Sequence, residues 1–192
     1  MGDATEDRAK ARALPEGDVI RVLLEQHARI RDLFAQVKHE TGEEKQKTFD
    51  ALRALLAVHE TAEELVLRPV TETVAGKDVA ASRNAEEKEA NAILAELEKL
   101  SVDDAAFATT FEAFEKSVDA HAEAEENEEF SQVLAQCDED QRKMMGRKIK
   151  AVEALAPTHP HPSVAGDRTA QLLTGPFAAM VDRVRDVVAG VR

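Results

Sequence analysis

Apolar residues recur along this chain at steps of three and four in four long stretches and a fifth shorter one, the spacing of helices with one buried face. Asp18 is placed to cap the first, whose stripe runs Ile20, Leu23, Ile30, Phe34 and Val37. Gly42 breaks it. The second, over about residues 43–67, carries Phe49, Leu52, Leu56 and Val66, and Pro69 is expected to end it. After a connection at Gly76-Lys77, a third helix over about residues 79–100 buries Ala90, Ile93 or Leu94, Leu97 and Leu100. The turn Ser101-Val102-Asp103-Asp104 leads into a fourth, to about residue 135, on Phe107, Phe111, Phe114 and Val118. Asp138 is expected to cap a fifth segment to residue 155, on Met144, Met145, Ile149, Val152 and Leu155.

Four long helices with short links predict an all-α fold: an up-down-up-down four-helix bundle with additional C-terminal helices, the fifth packing outside the four. Residues 1–17 mix charges with Pro15 and Gly17 and have no sustained period, so they read as a disordered N-terminal arm. Residues 18–156 make the bundle and its fifth helix. Residues 157–192 open on Pro157-Thr158-His159-Pro160-His161-Pro162, a linker that cannot be helical, and end in a short amphipathic stretch on Phe177, Met180, Val181, Val184 and Val188. That stretch is expected to fold back on the bundle or to meet a second copy.

Three of the stripes are interrupted by polar residues in apolar slots. His27 stands between Leu23 and Ile30, His59 and Glu63 between Leu56 and Val66, and His121 and Glu125 follow Val118. The last two pairs are the same His-x-x-x-Glu unit, and residues four apart on a helix lie one turn above each other, so each pair can close on one ion. Ionised groups buried without partners cost several kcal/mol each, and a cation in the core offsets that with fewest assumptions. A lone buried histidine is more often a hydrogen-bonded core residue than a ligand; two repeated units change the weighing. Three imidazoles and two carboxylates on opposite walls suit two ions roughly 3.5–4 Å apart better than one. Mixed nitrogen and oxygen donors without sulfur point to iron, with manganese or zinc as alternatives.

Composition agrees and narrows the class. The 192 residues include no Trp and no Tyr, are 33% charged, and carry a formal charge of −13, which argues against binding nucleic acid or an anionic membrane surface. No run approaches the ~18 apolar residues of a membrane span, and the charged N-terminus offers no signal-peptide core. The single cysteine, Cys137, excludes an internal disulfide and a thiolate cage and suits a reducing cytoplasm. His159 and His161 sit in a proline-punctuated linker that would hold a metal poorly.

The His27 segment Leu23-Leu24-Glu25-Gln26-His27, then His59-x-x-x-Glu63 with Pro69 downstream, then His121-x-x-x-Glu125 with Glu126 and Phe130 after it, resemble the hemerythrin-like, or HHE cation-binding, proteins. The likeness covers roughly residues 18–135. Ferritin-like di-iron proteins use Glu-x-x-His, and no Glu precedes any histidine by three positions here. The resemblance implies a non-haem di-iron centre, oxo- or carboxylate-bridged, acting on or sensing a small oxidant or gas: hydrogen peroxide, nitric oxide or O2. Catalase-like or nitric-oxide-detoxifying turnover is one outcome; O2 binding, iron storage or iron sensing without turnover is the alternative. Either is expected in a cytoplasmic monomer or weak homodimer. Such domains usually take one or two histidines from the third helix, where this chain has Glu86-Glu87-Lys88-Glu89. Glu87 or Glu86 is the candidate substitute ligand, and Glu60 a further one. Carboxylate in place of imidazole favours the ferric state, which disfavours reversible O2 carriage.

Overall fold

The structure, a computed structural model, describes residues 2–155. The linker and short helix expected beyond Pro157 lie outside the described residues. Within them the chain is all-helical and forms a bundle: α1 (Ala4–Arg12), α2 (Val19–His39), α3 (Gly42–Ala62), α4 (Arg68–Val74), α5 (Lys77–Leu97), α6 (Ala105–Ala124), α7 (Ser131–Gln136) and α8 (Glu139–Leu155). A π-helical turn, Glu63–Leu67, joins α3 to α4, and a second, Glu125–Phe130, joins α6 to α7. The four long arms are therefore α2, α3 to α4, α5, and α6 to α7.

Two apolar clusters fill the bundle, one on either side of a polar layer. Val19, Ile20, Leu23, Val58, Ala62, Leu67 and Phe130 belong to the first; Ile30, Phe34, Leu52, Leu56, Phe107, Phe111 and Phe114 belong to the second. Phenylalanines knit the second, Phe107 stacking on Phe111 at 5.4 Å and crossing Phe49 at 5.1 Å. Along α2 the sequence passes from the first cluster to the second at His27; along α3 and α6 it passes back at His59 and His121. The histidines thus mark one level in three helices.

Three expectations need correction. Residues 4–12 form a helix instead of a frayed arm. Asp3 caps it by accepting from the Thr5 amide at 2.7 Å, Ala11 is buried, and the buried Asp7 pairs with Arg31 of α2. A helix held by one small apolar residue and by ion pairs of Asp7, Arg8 and Lys10 leaves no hydrophobic period to read. The second arm continues past Pro69 to Val74, because the π turn resets the helix and Pro69 falls in the first turn of α4, where its missing N–H is tolerated. Finally, α8 is not a mere outer layer: Met145, Ile149 and Val152 complete the first cluster, while Met144 is exposed.

Helix α8 starts as expected, Asp138 accepting from the Gln141 amide at 2.8 Å, and Arg142 ties it to Asp18 at 2.7 Å. Its Gly146 lies against the backbone at Gly17, where a methyl group would overlap the Gly17 carbonyl oxygen. Gly146→Ala is accordingly expected to lower stability by about 1–3 kcal/mol, read as a fall in the urea midpoint with unchanged slope.

Candidate metal centre

The polar layer is built from four helical arms. α2 supplies His27 and Gln26; α3 supplies His59 and leads into Glu63; α5 supplies Glu86 and Glu87; α6 supplies His121 and leads into Glu125. Both His-x-x-x-Glu units end on the first residue of a π turn. In such a turn the amide of residue i+5 bonds back to residue i, as Arg68 N–H does to the Glu63 carbonyl. On a regular helix five positions would carry Arg68 about 140° away from Glu63; here it lies over it.

Each imidazole is fixed from behind. His27 Nδ1 donates to Glu126 Oε1 at 3.2 Å, His59 Nδ1 to Gln26 Oε1 at 2.7 Å, and His121 Nδ1 to Glu86 Oε2 at 3.0 Å. Gln26 must face His59 with its oxygen, since its amide nitrogen donates to Glu153 of α8 at 2.5 Å. With Nδ1 protonated, the Nε2 lone pair of each ring points into the layer, the tautomer a metal ion requires. Phe130 stacks on His27 at 5.6 Å and closes that side.

Inside, the Nε2 atoms converge on two carboxylates that are fully buried. His59 Nε2 lies 3.4 Å from Glu63 Oε1; His27 Nε2 lies 3.4 Å from Glu125 Oε2, and His121 Nε2 lies 3.2 Å from Glu125 Oε1. The two oxygens of Glu125 therefore face different histidines. Donor atoms of His27, His59, Glu63 and Glu125 lie within 4.8 Å of one another, and so do those of Glu63, Glu87, His121 and Glu125. The two groups share Glu63 and Glu125.

Electrostatics separate these carboxylates. Burial, then the neighbouring charge of Glu125, drives the Glu63 carboxyl well above the ordinary range. Burial opposes ionisation of Glu125 as well, but His121 and His27 outweigh it and hold its carboxyl well below that range. His59 is pushed down to about 3 by burial and by His27, whereas at His121 the burial penalty is outweighed by Glu125, Glu86 and Glu87, leaving it at about 9. Both oxygens of Glu63, His27 Nε2, His121 Nε2 and Glu125 Oε2 are buried without a hydrogen-bond partner. Hydrogen bonds from protein donors satisfy most buried polar groups; here the unmatched atoms are imidazole nitrogens and carboxylate oxygens facing one another. The metal-free layer holds its histidines beside Glu125 protonated, and a metal ion would displace those protons. A cation answers all of them, so the residues present fit a metal.

Of the residues singled out in the sequence, His27, His59, Glu63, Glu87, His121 and Glu125 come together in these two groups. Glu86 and Glu60 do not. Glu86 stands behind His121 at Nδ1, and Glu60 accepts from Asn91 at 3.1 Å. Sequence reasoning missed three buried residues of the layer: Gln26, which precedes His27, Arg68 and Glu129. Arg68 pairs with Glu87, with Glu129 and, at 3.3 Å, with Glu125. The nearest signal was Pro69, whose presence in a continuing helix implies an irregular turn upstream.

Gln26→Leu removes the acceptor that orients His59 while keeping the volume. It is expected to weaken binding of Zn²⁺ by about 10–100-fold without changing helicity, measured by competition with a chelating dye and by circular dichroism.

Residues 18–133 match the protein family described as the hemerythrin HHE cation-binding domain. An uncharacterised hemerythrin-like protein of Schizosaccharomyces pombe is 24% identical over 136 residues, which span 69% of this chain and 67% of that protein. The crystal structure of a hemerythrin HHE cation-binding domain-containing protein from Mycobacterium kansasii aligns with a TM-score of 0.66 at 20% identity, over 86% of this chain and 98% of the other. At that identity the likeness is one of fold.

Proposed function

The chain belongs to the hemerythrin HHE cation-binding family, and from that premise we propose that its core binds two iron ions side by side and acts on a small oxidant, hydrogen peroxide foremost. His27 and His59 would hold one ion and His121 and Glu87 the other, Glu63 and Glu125 belonging to both groups of donors. Glu63 carries the reading: a fully enclosed carboxylate with neither oxygen hydrogen-bonded is what a bridging ligand looks like before its ions arrive. The donor set supports iron, because imidazole and carboxylate without thiolate suit it better than they suit a softer ion.

An iron pair supplies two-electron redox chemistry, which matches peroxide, with nitric oxide and O2 as neighbouring substrates. The chain's own residues set the size of what enters. A cavity of about 20 Å³ touches His27, His59 and His121 and is walled by Ile30, Leu56, Ala90, Val118 and Ala122. That is room for about one water-sized molecule, which favours a peroxide or diatomic ligand over larger oxidants. Arg31 and Asp119 also line the cavity, and Glu60 and Glu87 bring carboxyl groups to its edge. The absence of Tyr and Trp from the sequence leaves neither of these side chains to carry a radical away. Glu87, in place of a third-helix imidazole, favours the oxidised pair and with it turnover over reversible carriage of O2.

The test uses protein purified without a histidine tag. Metal analysis is expected to give about two equivalents of iron, and anomalous scattering at the iron edge is expected to place both between the residues named. Mixing the loaded protein with peroxide should then release O2. A stable oxy band after reduction and aeration, with no O2 release, would instead favour a binding protein without turnover, and less than one equivalent of any transition metal would end the metal reading.

A further inference from the structure

The two groups of donors are not equivalent, and the difference is Arg68. Its side chain is buried at 3% exposure inside the layer. One terminal nitrogen, Nη2, donates to Glu87 and, at 3.3 Å, to Glu125 Oε1; the other, Nη1, donates to Glu129, which also accepts from Thr71 Oγ1 at 3.0 Å. Glu87 and Glu125 Oε1 both face His121 Nε2, at 3.8 Å and 3.2 Å. In the group around His121, then, two carboxylates are already engaged by a guanidinium. His27 Nε2, His121 Nε2, Glu125 Oε2 and both oxygens of the shared Glu63 have no hydrogen-bond partner, so the difference between the groups is that Arg68 engages Glu87 and Glu125 Oε1 on the His121 side and touches neither His27 nor His59.

We propose that Arg68 is a built-in counter-cation that makes the two metal positions unequal: the one on His27 and His59 fills first, and the one on His121 and Glu87 fills only as Arg68 gives up Glu87 and Glu125. The inference rests on the two-position reading above. Guanidinium stays protonated, so it cannot yield by losing its charge and must move. Glu129, braced by Thr71, gives it a second partner to keep when it does. A divalent ion beside an immobile guanidinium meets a repulsion that the shared carboxylates only partly screen. At a separation of about 5 Å and an effective dielectric near 20 this is sufficient for an affinity gap of about 100-fold or more.

The experiment is a titration of the metal-free full-length protein with Co²⁺ followed by its visible bands, and with Zn²⁺ followed by calorimetry, for the wild type, Arg68→Met and Arg68→Lys. Circular dichroism checks that each is folded. The wild type should show two resolved steps about 100-fold apart. In Arg68→Met the gap should shrink at least about tenfold through a tighter second step, with the first step moved less than about threefold. Arg68→Lys keeps the charge but loses the forked contact with Glu87 and Glu125, and should narrow the gap by a smaller factor. Because Arg68→Lys retains a cation against the buried acids, it carries the test if Arg68→Met does not fold without metal. Two equal steps in the wild type, or a gap that neither substitution alters, would overturn the role of Arg68 while leaving the two-position reading intact. Failure of the wild type to bind either metal would overturn both.

Discussion

With the proposed pair of ions bound, chelation is expected to lower the melting temperature by roughly 15–30 °C, and returning two equivalents should restore it. The expectation comes from where the layer sits. It divides the apolar core in two, so the clusters above and below can pack fully only if the charges between them are satisfied. Without an ion, Glu63, Glu87, Glu125 and Glu129 are set against Arg68 and the imidazoles, and His27 Nε2, His121 Nε2, Glu125 Oε2 and both oxygens of Glu63 have no hydrogen-bond partner. An ion at about 1,000 times its dissociation constant stabilises the folded state by about 4 kcal/mol, two by about 8, and a domain of this size moves about 2–4 °C per kcal/mol. Scanning calorimetry before and after chelation checks it. An unchanged transition would mean that the layer satisfies itself with protons and hydrogen bonds.

The parts of this site that were legible in the sequence are those that break a period. His27, His59, Glu63, His121 and Glu125 stand where leucine would be expected, and the stripes around them define both the helices and the depth of the layer. Glu87 was legible more weakly, as a carboxylate at the matching depth of a helix without histidine. What stayed hidden depends on contacts between helices or on local irregularity. Gln26 looks like any helical glutamine until Glu153, more than a hundred positions away, fixes which end of its amide faces His59. Arg68 reads as exposed if α3 continues as a regular helix, and it turns inward only because a π turn follows Glu63. Helix α1 was hidden for another reason: the Asp7 and Arg31 pair that docks it has no periodicity. The fold followed from the spacing of apolar residues; the tuning of the site lies in single polar contacts that spacing does not encode.

Replacing either shared carboxylate with leucine should abolish metal binding, yet the two substitutions should move the metal-free protein in opposite directions. Glu63 and Glu125 are equally buried and occupy corresponding places in the two repeated units. Glu125 is nevertheless surrounded by groups that carry positive charge, with His27, His121 and Arg68 all within 3.4 Å, whereas Glu63 faces the uncharged His59 at 3.4 Å and neither of its oxygens has a hydrogen bond. Glu125→Leu strands those cations and should destabilise the metal-free fold by about 3–5 kcal/mol. Glu63→Leu removes a desolvated carboxylate and fills its space with apolar volume beside Ala62 and Val66, so the metal-free fold should gain about 1–4 kcal/mol. In both variants affinity for Zn²⁺ or Co²⁺ should fall by at least about 1,000-fold, since each carboxylate belongs to both donor groups. Chemical denaturation of the chelated proteins measures the first effect and dye competition the second. A Glu63→Leu protein less stable than the metal-free wild type would mean that Glu63 already has a partner other than a metal ion, and that this carboxylate is part of the scaffold instead of the ligand set.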